Sequence, residues 1–248
     1  MPTNLQIDAP QTLTGLFPDS SDEEDNGGIV EPTFETQDIA LVGERLQIRQ
    51  YDYHSHNANR VWPGTFNLAE YLLNARHGEG LLNWGAVLEL GTATGLLAIR
   101  LALVSTQHSQ DRTSVVYCES IVTSDVEDER GEVAENIAFN YRLNRIEKPP
   151  PHVPHTWGTG WKTSMEKAGL DSGTSFDTII ASDILLYVSA YPALVETLEE
   201  LIPPDSNSKF IMSWNRRMKE SQEFFDRIKK VGFDCTHEGK CIYIFKRT

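Results

Sequence analysis

The residues best placed to do chemistry begin with a turn of small side chains. In "VLELGTATGL", residues 87–96, an apolar run breaks into Gly91-Thr92-Ala93-Thr94-Gly95, and an apolar segment without Gly or Pro follows. Glycine lets a backbone approach a ligand closely, because no Cβ intrudes. The same G-x-x-x-G spacing also suits a close crossing of a strand and a helix. It differs from the G-x-G-x-x-G of dinucleotide folds and from the P-loop, and no lysine follows to hold phosphates. Helix N-termini favour anions, yet Glu89 places a carboxylate just ahead of this one. Such a site suits a ligand with cationic character. Asp183 is a second candidate. It follows the apolar run 178–181, where an unpaired carboxylate would be costly, so a ligand-facing role at a strand's end is expected. His54, His56, His152 and His155 form an H-x-H and an H-x-x-H pair far apart in sequence without accompanying cysteines. Structural or surface roles are expected for them, and no metal. No G-x-S-x-G elbow supports Ser-His-Asp catalysis.

Elements must hold these groups in place. "IALVGERLQIRQY" alternates and reads as a short hairpin beginning at Ile39. "GTFNLAEYLLNARH" carries Phe66, Leu68, Ala69, Leu72 and Leu73 at helical spacing. Strand 87–90, the glycine turn and a helix over about 95–104 come next. "TSVVYCESIVTSDV" holds one strand or two, and "EDERGEVAENIAFNYRLN" is a helix with Val133, Ile137 and Tyr141 on one face. Residues 148–160, rich in Pro, Gly and His, read as a loop. "FDTIIASDILLY" is a strand running into a loop, and "YPALVETLEELI" is a helix stopped by Pro203-Pro204. "KFIMSW" is a strand, "ESQEFFDRIKKVGF" a helix and "CIYIFKR" a closing strand. Strands alternating with helices imply an α/β domain with a largely parallel sheet, helices on both faces and an antiparallel C-terminal hairpin at the edge. In such sheets, ligands sit beyond the carboxyl ends of the strands, where the topology switches direction.

Composition narrows the classes. The 248 residues suffice for one large domain or two small ones, and 40% hydrophobic with 23% charged is ordinary for a globular chain. No apolar run reaches the roughly 18 residues of a membrane span, so no membrane partner is expected. The start, "MPTNLQIDAPQTLTG", lacks the basic and apolar regions of a secretory signal. Three cysteines without CxxC spacing suggest reduced thiols in the cytosol or nucleus. Of the net charge of −14, residues 1–38 hold nine acidic side chains and no Lys or Arg, which leaves −5 for the rest. This segment, with "LFPDSSDEEDNGG", reads as a disordered tail ahead of a domain over 39–248. Ser20 and Ser21 precede its acidic run and offer a phosphorylation site. The acidic balance argues against a nucleic-acid backbone as the main partner.

A ligand that fits the glycine turn and Glu89 is S-adenosylmethionine, with its sulfonium and ammonium groups. "ELGTATG" resembles motif I of the class I, seven-β-strand methyltransferases, which implies a Rossmann-like seven-stranded sheet. "VWPGTFNLAEYL" resembles the helix upstream of motif I in the lysine methyltransferase branch of that class. "VTSDVEDERGEVAENIAFNYRLN" resembles that branch's ribose-binding acid and the helix after it. "HTWG" resembles its Trp-Gly after the third strand, and "ASDILLY" its D-x-x-Y motif, here with one extra residue. Together they span about 40–248.

The resemblance implies S-adenosylmethionine as cofactor, held by Trp62, Glu89, Gly91, Thr92, Ala93, Gly95, Asp125, Trp157 and Ala181. Trp62 would close over the methionine end and Trp157 would face the adenine. It implies catalytic roles for Asp183 and Tyr187, and a lysine of a protein as substrate. For the ribose acid, Glu119 and Asp125 both stay open; Asp125 is preferred because a helix follows it directly. An insertion is expected around 105–114. Two other activities also stay open: methylation of a small molecule such as nicotinamide, because the fold serves both, and an inert binding module.

Overall fold

The computed structural model describes residues 33–74, 82–111, 116–215 and 218–248. The chain opens with β1 (Phe34–Leu41) and β2 (Glu44–Tyr51), an antiparallel hairpin. Val42 and Gly43 turn it with φ of 40° and 83°, the left-handed pair that matches strand twist in a two-residue hairpin. This corrects the expected boundary at Ile39. Residues 34–38 are paired with β2, Phe34 opposite Tyr51 and Asp38 opposite Gln47. Their composition reads as tail because the strand is exposed on both faces, so it carries no alternation. The acidic run and Ser20–Ser21 lie outside the described residues.

Helix α1 (Pro63–Leu73) starts on a proline at its first turn, where the missing N–H is no loss. The short β3 (Leu82–Asn83) precedes β4 (Ala86–Leu90) and α2 (Leu96–Asp111). Helix α2 runs well past the expected end at 104, so the expected insertion coincides with its last turns and with residues outside the description. "TSVVYCESIVTSDV" contains two strands, β5 (Val116–Tyr117) and β6 (Ser120–Asp125). After α3 (Glu132–Leu143), the segment expected as a loop holds a strand, β7 (His152–Pro154), and α4 (Trp161–Lys167) follows it. The rest is β8 (Thr178–Ser182), α5 (Tyr191–Leu201), β9 (Lys209–Ser213), α6 (Gln222–Lys230), β10 (Phe233–Gly239) and β11 (Ile242–Arg247).

Seven strands form one sheet in the order β10-β11-β9-β8-β4-β6-β7. Strand β11 runs antiparallel to both neighbours, and the other pairings are parallel. Successive β4 side chains go to opposite faces. Leu88 and Leu90 pack with Trp161 of α4, Leu194 of α5 and Phe224 of α6; Val87 packs with Leu68 of α1, Leu97 of α2 and Ile137 of α3. From β4 the chain moves outward through β6 and β7, then returns across β4 to β8. The switch point therefore lies between β4 and β8. Among the described residues, no helix is long and apolar enough to cross a membrane.

One device ties the hairpin to the site. Asn136 and Asn140 on α3 and Asn144 just past its end stand at four-residue spacing, so they share one face and take the place of a neighbouring strand along β2. Asn144 accepts the Gln47 N–H at 3.0 Å and donates to the Gln47 carbonyl at 2.7 Å. Asn140 accepts the Arg49 N–H at 2.7 Å and donates to the carbonyls of Arg49 and Thr94. Thr94 belongs to the glycine turn, so one buried amide joins hairpin, helix and turn.

Candidate active site

A cavity of about 230 Å³ opens at the carboxyl ends of β4, β6, β7 and β8, where a parallel sheet is expected to bind its ligand. Four strand ends and one N-terminal segment supply its wall: Gly91 and Ala93, Asp125 and Val126, His155 to Trp157, Ser182 to Ile184, and His56 to Ala58 with Trp62. Leu186, Tyr187, Ala190 and Ala193 complete the rim.

The glycine turn is built by backbone strain and close packing. Gly91, Ala93 and Gly95 have φ of 64°, 50° and 82°. A Cβ on Gly91 would lie 2.8 Å from the Ile184 methyl Cγ2, so this glycine admits β8's loop as well as a ligand. A Cβ on Gly95 would meet Ile137 and Tyr141 at ordinary contact distances; only its φ calls for glycine. The turn is lashed to β6. Thr92 N–H donates to the Ser124 carbonyl at 3.1 Å, and Ala93 N–H donates to Asp125 Oδ2 at 2.7 Å.

Asp125 is buried in the cavity wall and also accepts the Val126 N–H, at 2.7 Å on Oδ1. Burial pushes its carboxyl above the usual range, while the two backbone donors pull it down. The other candidate, Glu119, is exposed at the opposite, amino end of β6, where it accepts from Asn83 Nδ2 at 2.7 Å. Only Asp125 reaches the cavity.

Asp183 is 2% exposed and lines the facing wall. Its φ of 51° is left-handed, a conformation that disfavours any residue with a Cβ and concentrates at functional sites. Its N–H donates to the Ser213 carbonyl at 2.9 Å, and its Oδ2 accepts the Gly64 N–H at 2.7 Å. A Cβ on Gly64 would come 2.8 Å from the Asp183 carboxyl carbon. Gly64 is thus a site residue that sequence reasoning missed; its signal was the W-P-G at the start of α1. Trp62 is held by its Nε1–H on the Asn57 carbonyl at 3.0 Å and by the Arg60 guanidinium 4.7 Å over its ring. Trp157 and Tyr187 also line the cavity. The extra residue in Asp183–Tyr187 does not turn the tyrosine away.

Four of the expected cofactor contacts are not on the wall. Thr92 and Gly95 serve the turn itself, and Ala181 lies buried within β8. Glu89 is 3% exposed and its Oε2 has no hydrogen-bond partner. Burial pushes its carboxyl up to about 8, with the charge of Asp125 adding to the effect. It is off the cavity wall and largely protonated at neutral pH, so it offers a cationic ligand neither contact nor full charge, which corrects the role expected for it. Structural or surface roles were expected for the histidines, yet His56 and His155 line the cavity. His54, Asp128 and Glu132 bring ligand-type atoms within 4.8 Å of one another. Their geometry already has a use: His54 Nδ1 accepts the His56 N–H at 3.2 Å, and Asp128 Oδ2 accepts the Glu132 N–H at 2.7 Å at the start of α3.

The solved T. thermophilus 16S rRNA N2 G1207 methyltransferase RsmC, in complex with AdoMet and guanosine, superposes with a TM-score of 0.53 at 14% identity, over 91% of this chain and 53% of that one. That likeness shows the fold. In sequence, the chain is 29% identical to the protein-lysine N-methyltransferase EFM3 of Chaetomium thermophilum, over 73% of this chain and 49% of that protein. It is 25% identical to the EEF1A lysine methyltransferase 3 of Xenopus tropicalis, over 88% of this chain and 80% of that protein. The chain thus spans about half the length of the first relative and most of the second. The model of the lysine methyltransferase family matches residues 41–231, a range that takes in every strand of the site described above, and the chain belongs to that family.

Proposed function

We propose that this protein transfers a methyl group from S-adenosylmethionine to a lysine side chain of a protein. The observation that carries this reading is the cavity at the switch point, framed by the buried carboxylates of Asp125 and Asp183 in a chain of the lysine methyltransferase family. The residues present fit the cofactor. Asp125 spends one lone pair of each oxygen on a backbone N–H, and its remaining acceptor capacity suits a ribose diol. Trp157 offers an aromatic face for the adenine, Trp62 closes the methionine end, and Gly91 leaves the backbone bare between them.

When bound, S-adenosylmethionine supplies an electrophilic methyl group. The protein's contribution is position and desolvation. A buried mouth favours the neutral, nucleophilic form of a lysine amine. The Gly64 and Asp183 backbone contacts hold the Asp183 carboxylate in one orientation, so it can accept a hydrogen bond from the incoming amine. Ile184, Leu186 and Tyr187 line the approach. The odd cysteine count supports a cytosolic or nuclear site of action.

The test is incubation of the full chain with methyl-labelled cofactor, first with EEF1A, the substrate named for the Xenopus relative, and then with a cell lysate. A labelled protein band, with label on lysine, supports the reading. A labelled small metabolite replaces it with the small-molecule alternative, and no transfer leaves the inert module.

A further inference from the structure

The segment between β2 and α1 contributes His56, Asn57 and Ala58 to the cavity wall. It forms a tight turn: Asn57 N–H donates to the His54 carbonyl at 2.9 Å, and Asn57 takes a left-handed φ of 57°. From this turn Asn57 reaches both sides of the mouth. Its carbonyl accepts Trp62 Nε1–H at 3.0 Å, and its Nδ2 donates to the hydroxyl of Tyr187, 130 residues away. The Tyr187 hydroxyl in turn donates to the Ser55 carbonyl at 3.4 Å. Both hydrogen-bonding roles of that hydroxyl therefore go to the same strap.

We propose that Asn57 is a positioning residue whose bond to Tyr187 latches the 54–58 strap across the cavity and slows the exit of the bound cofactor product. The inference deepens the proposed function and rests on it, because it takes the cavity as the cofactor site. Three features support a latch over a fixed wall. Tyr187 is 45% exposed, so water competes for its hydroxyl and the bond opens readily. Tyr187 follows β8 whereas Asn57 precedes α1, so the bond closes a gap between two independently anchored segments. The strap's tie to Trp62, whose Nε1–H donates to the Asn57 carbonyl, remains when the latch opens, which leaves it hinged. Lids of this kind commonly set the pace of product release.

Two substitutions remove the latch from opposite ends. Tyr187→Phe keeps the ring on the wall and deletes the hydroxyl. Asn57→Gly deletes the amide and tolerates the left-handed φ. The readout is the dissociation rate of S-adenosylhomocysteine from the full chain by stopped flow, alongside its affinity by calorimetry and the thermal midpoint of each variant. Each single variant should release S-adenosylhomocysteine roughly three- to tenfold faster, the factor that one net hydrogen bond sets. The double variant should be no faster than Tyr187→Phe alone, because that substitution already removes the Asn57 bond together with the weaker one to Ser55. General loosening would lower the thermal midpoint without producing that coupling. Wild-type-like rates in either single variant, or rates that multiply in the double, overturn the latch while leaving the cofactor site intact. Absence of S-adenosylhomocysteine binding by the wild-type chain overturns the cofactor site, and the latch with it.

Discussion

Replacing Glu89 by Gln should flatten the pH dependence of stability of the cofactor-free protein between pH 6.5 and 8. Glu89 lies in β4, an interior strand of the sheet, 3% exposed, with one carboxyl oxygen that has no partner. Burial raises it from an ordinary 4.5 to about 8. Between those values the folded chain keeps a proton that the unfolded chain releases, so stability falls as pH rises, and levels off once both states are ionised above about 8. The slope is about 1.4 kcal/mol per pH unit. Buried histidines act with the opposite sign. His54, His152 and His155 are all lowered by burial from 6.5, so they cost stability as pH falls below 6.5 and fade above it. Cys118, raised by burial, enters only above its ordinary value of 9.0. In the window from 6.5 to 8, Glu89 should therefore cost the wild-type chain roughly 2 kcal/mol, and Asp125, also raised by burial, acts with the same sign. Gln has the shape of the protonated acid and cannot ionise, so the variant should lose roughly 2 kcal/mol less than wild type across the window. Urea melts at half-unit pH steps measure this. With a slope of about 2–3 kcal/mol per molar urea, the wild-type midpoint should fall by roughly 0.7–1 M across the window. Parallel midpoints for the two proteins would refute the argument, and would mean that Glu89 is ionised at neutral pH with a partner or water at its side.

Asp125→Ala should weaken S-adenosylmethionine binding by about 3 kcal/mol, the loss of charged hydrogen bonds to two hydroxyls, while Glu119→Ala, at the far end of β6, leaves calorimetric affinity unchanged. Deleting residues 1–32 should preserve the thermal midpoint and cofactor affinity. Deleting 1–38 should destabilise the fold by about 2 kcal/mol, because it removes most of β1 and the Phe34 ring that lies 4.4 Å from the Arg49 guanidinium, which also lies 3.9 Å from the Phe139 ring. Equal melting of the two truncations would show that the edge strand contributes nothing. Asp183→Asn should keep the fold and most cofactor affinity yet lower turnover by about a hundredfold with substrate saturating; full turnover would remove Asp183 from the chemical step.

Much of this protein is written in short-range pattern. The run Val87–Leu90, the glycine turn and α2 follow from apolar periodicity and the φ values that only small residues accept. Asp183 is legible because it ends an apolar strand. These features depend on neighbours within a few residues, so the sequence determines them directly, and the α/β class follows from their alternation. Tertiary structure decided the rest. Whether Glu119 or Asp125 reaches the ligand depends on which end of β6 faces the cavity, and that is set by pairing Ala86 with Ser120 and Leu90 with Ser124. Strand β7 has three residues, too few to show a period, and exists because β6 offers it an edge. Phe34 to Asp38 have no buried face to pattern, yet are ordered by their ladder with β2. Gly64 is a site residue only because folding brings it against Asp183, 119 positions later. Asn57 and Tyr187 meet for the same reason. Local composition cannot carry such information, because each of these roles belongs to a pair, and the partner is chosen by the packing of the whole sheet.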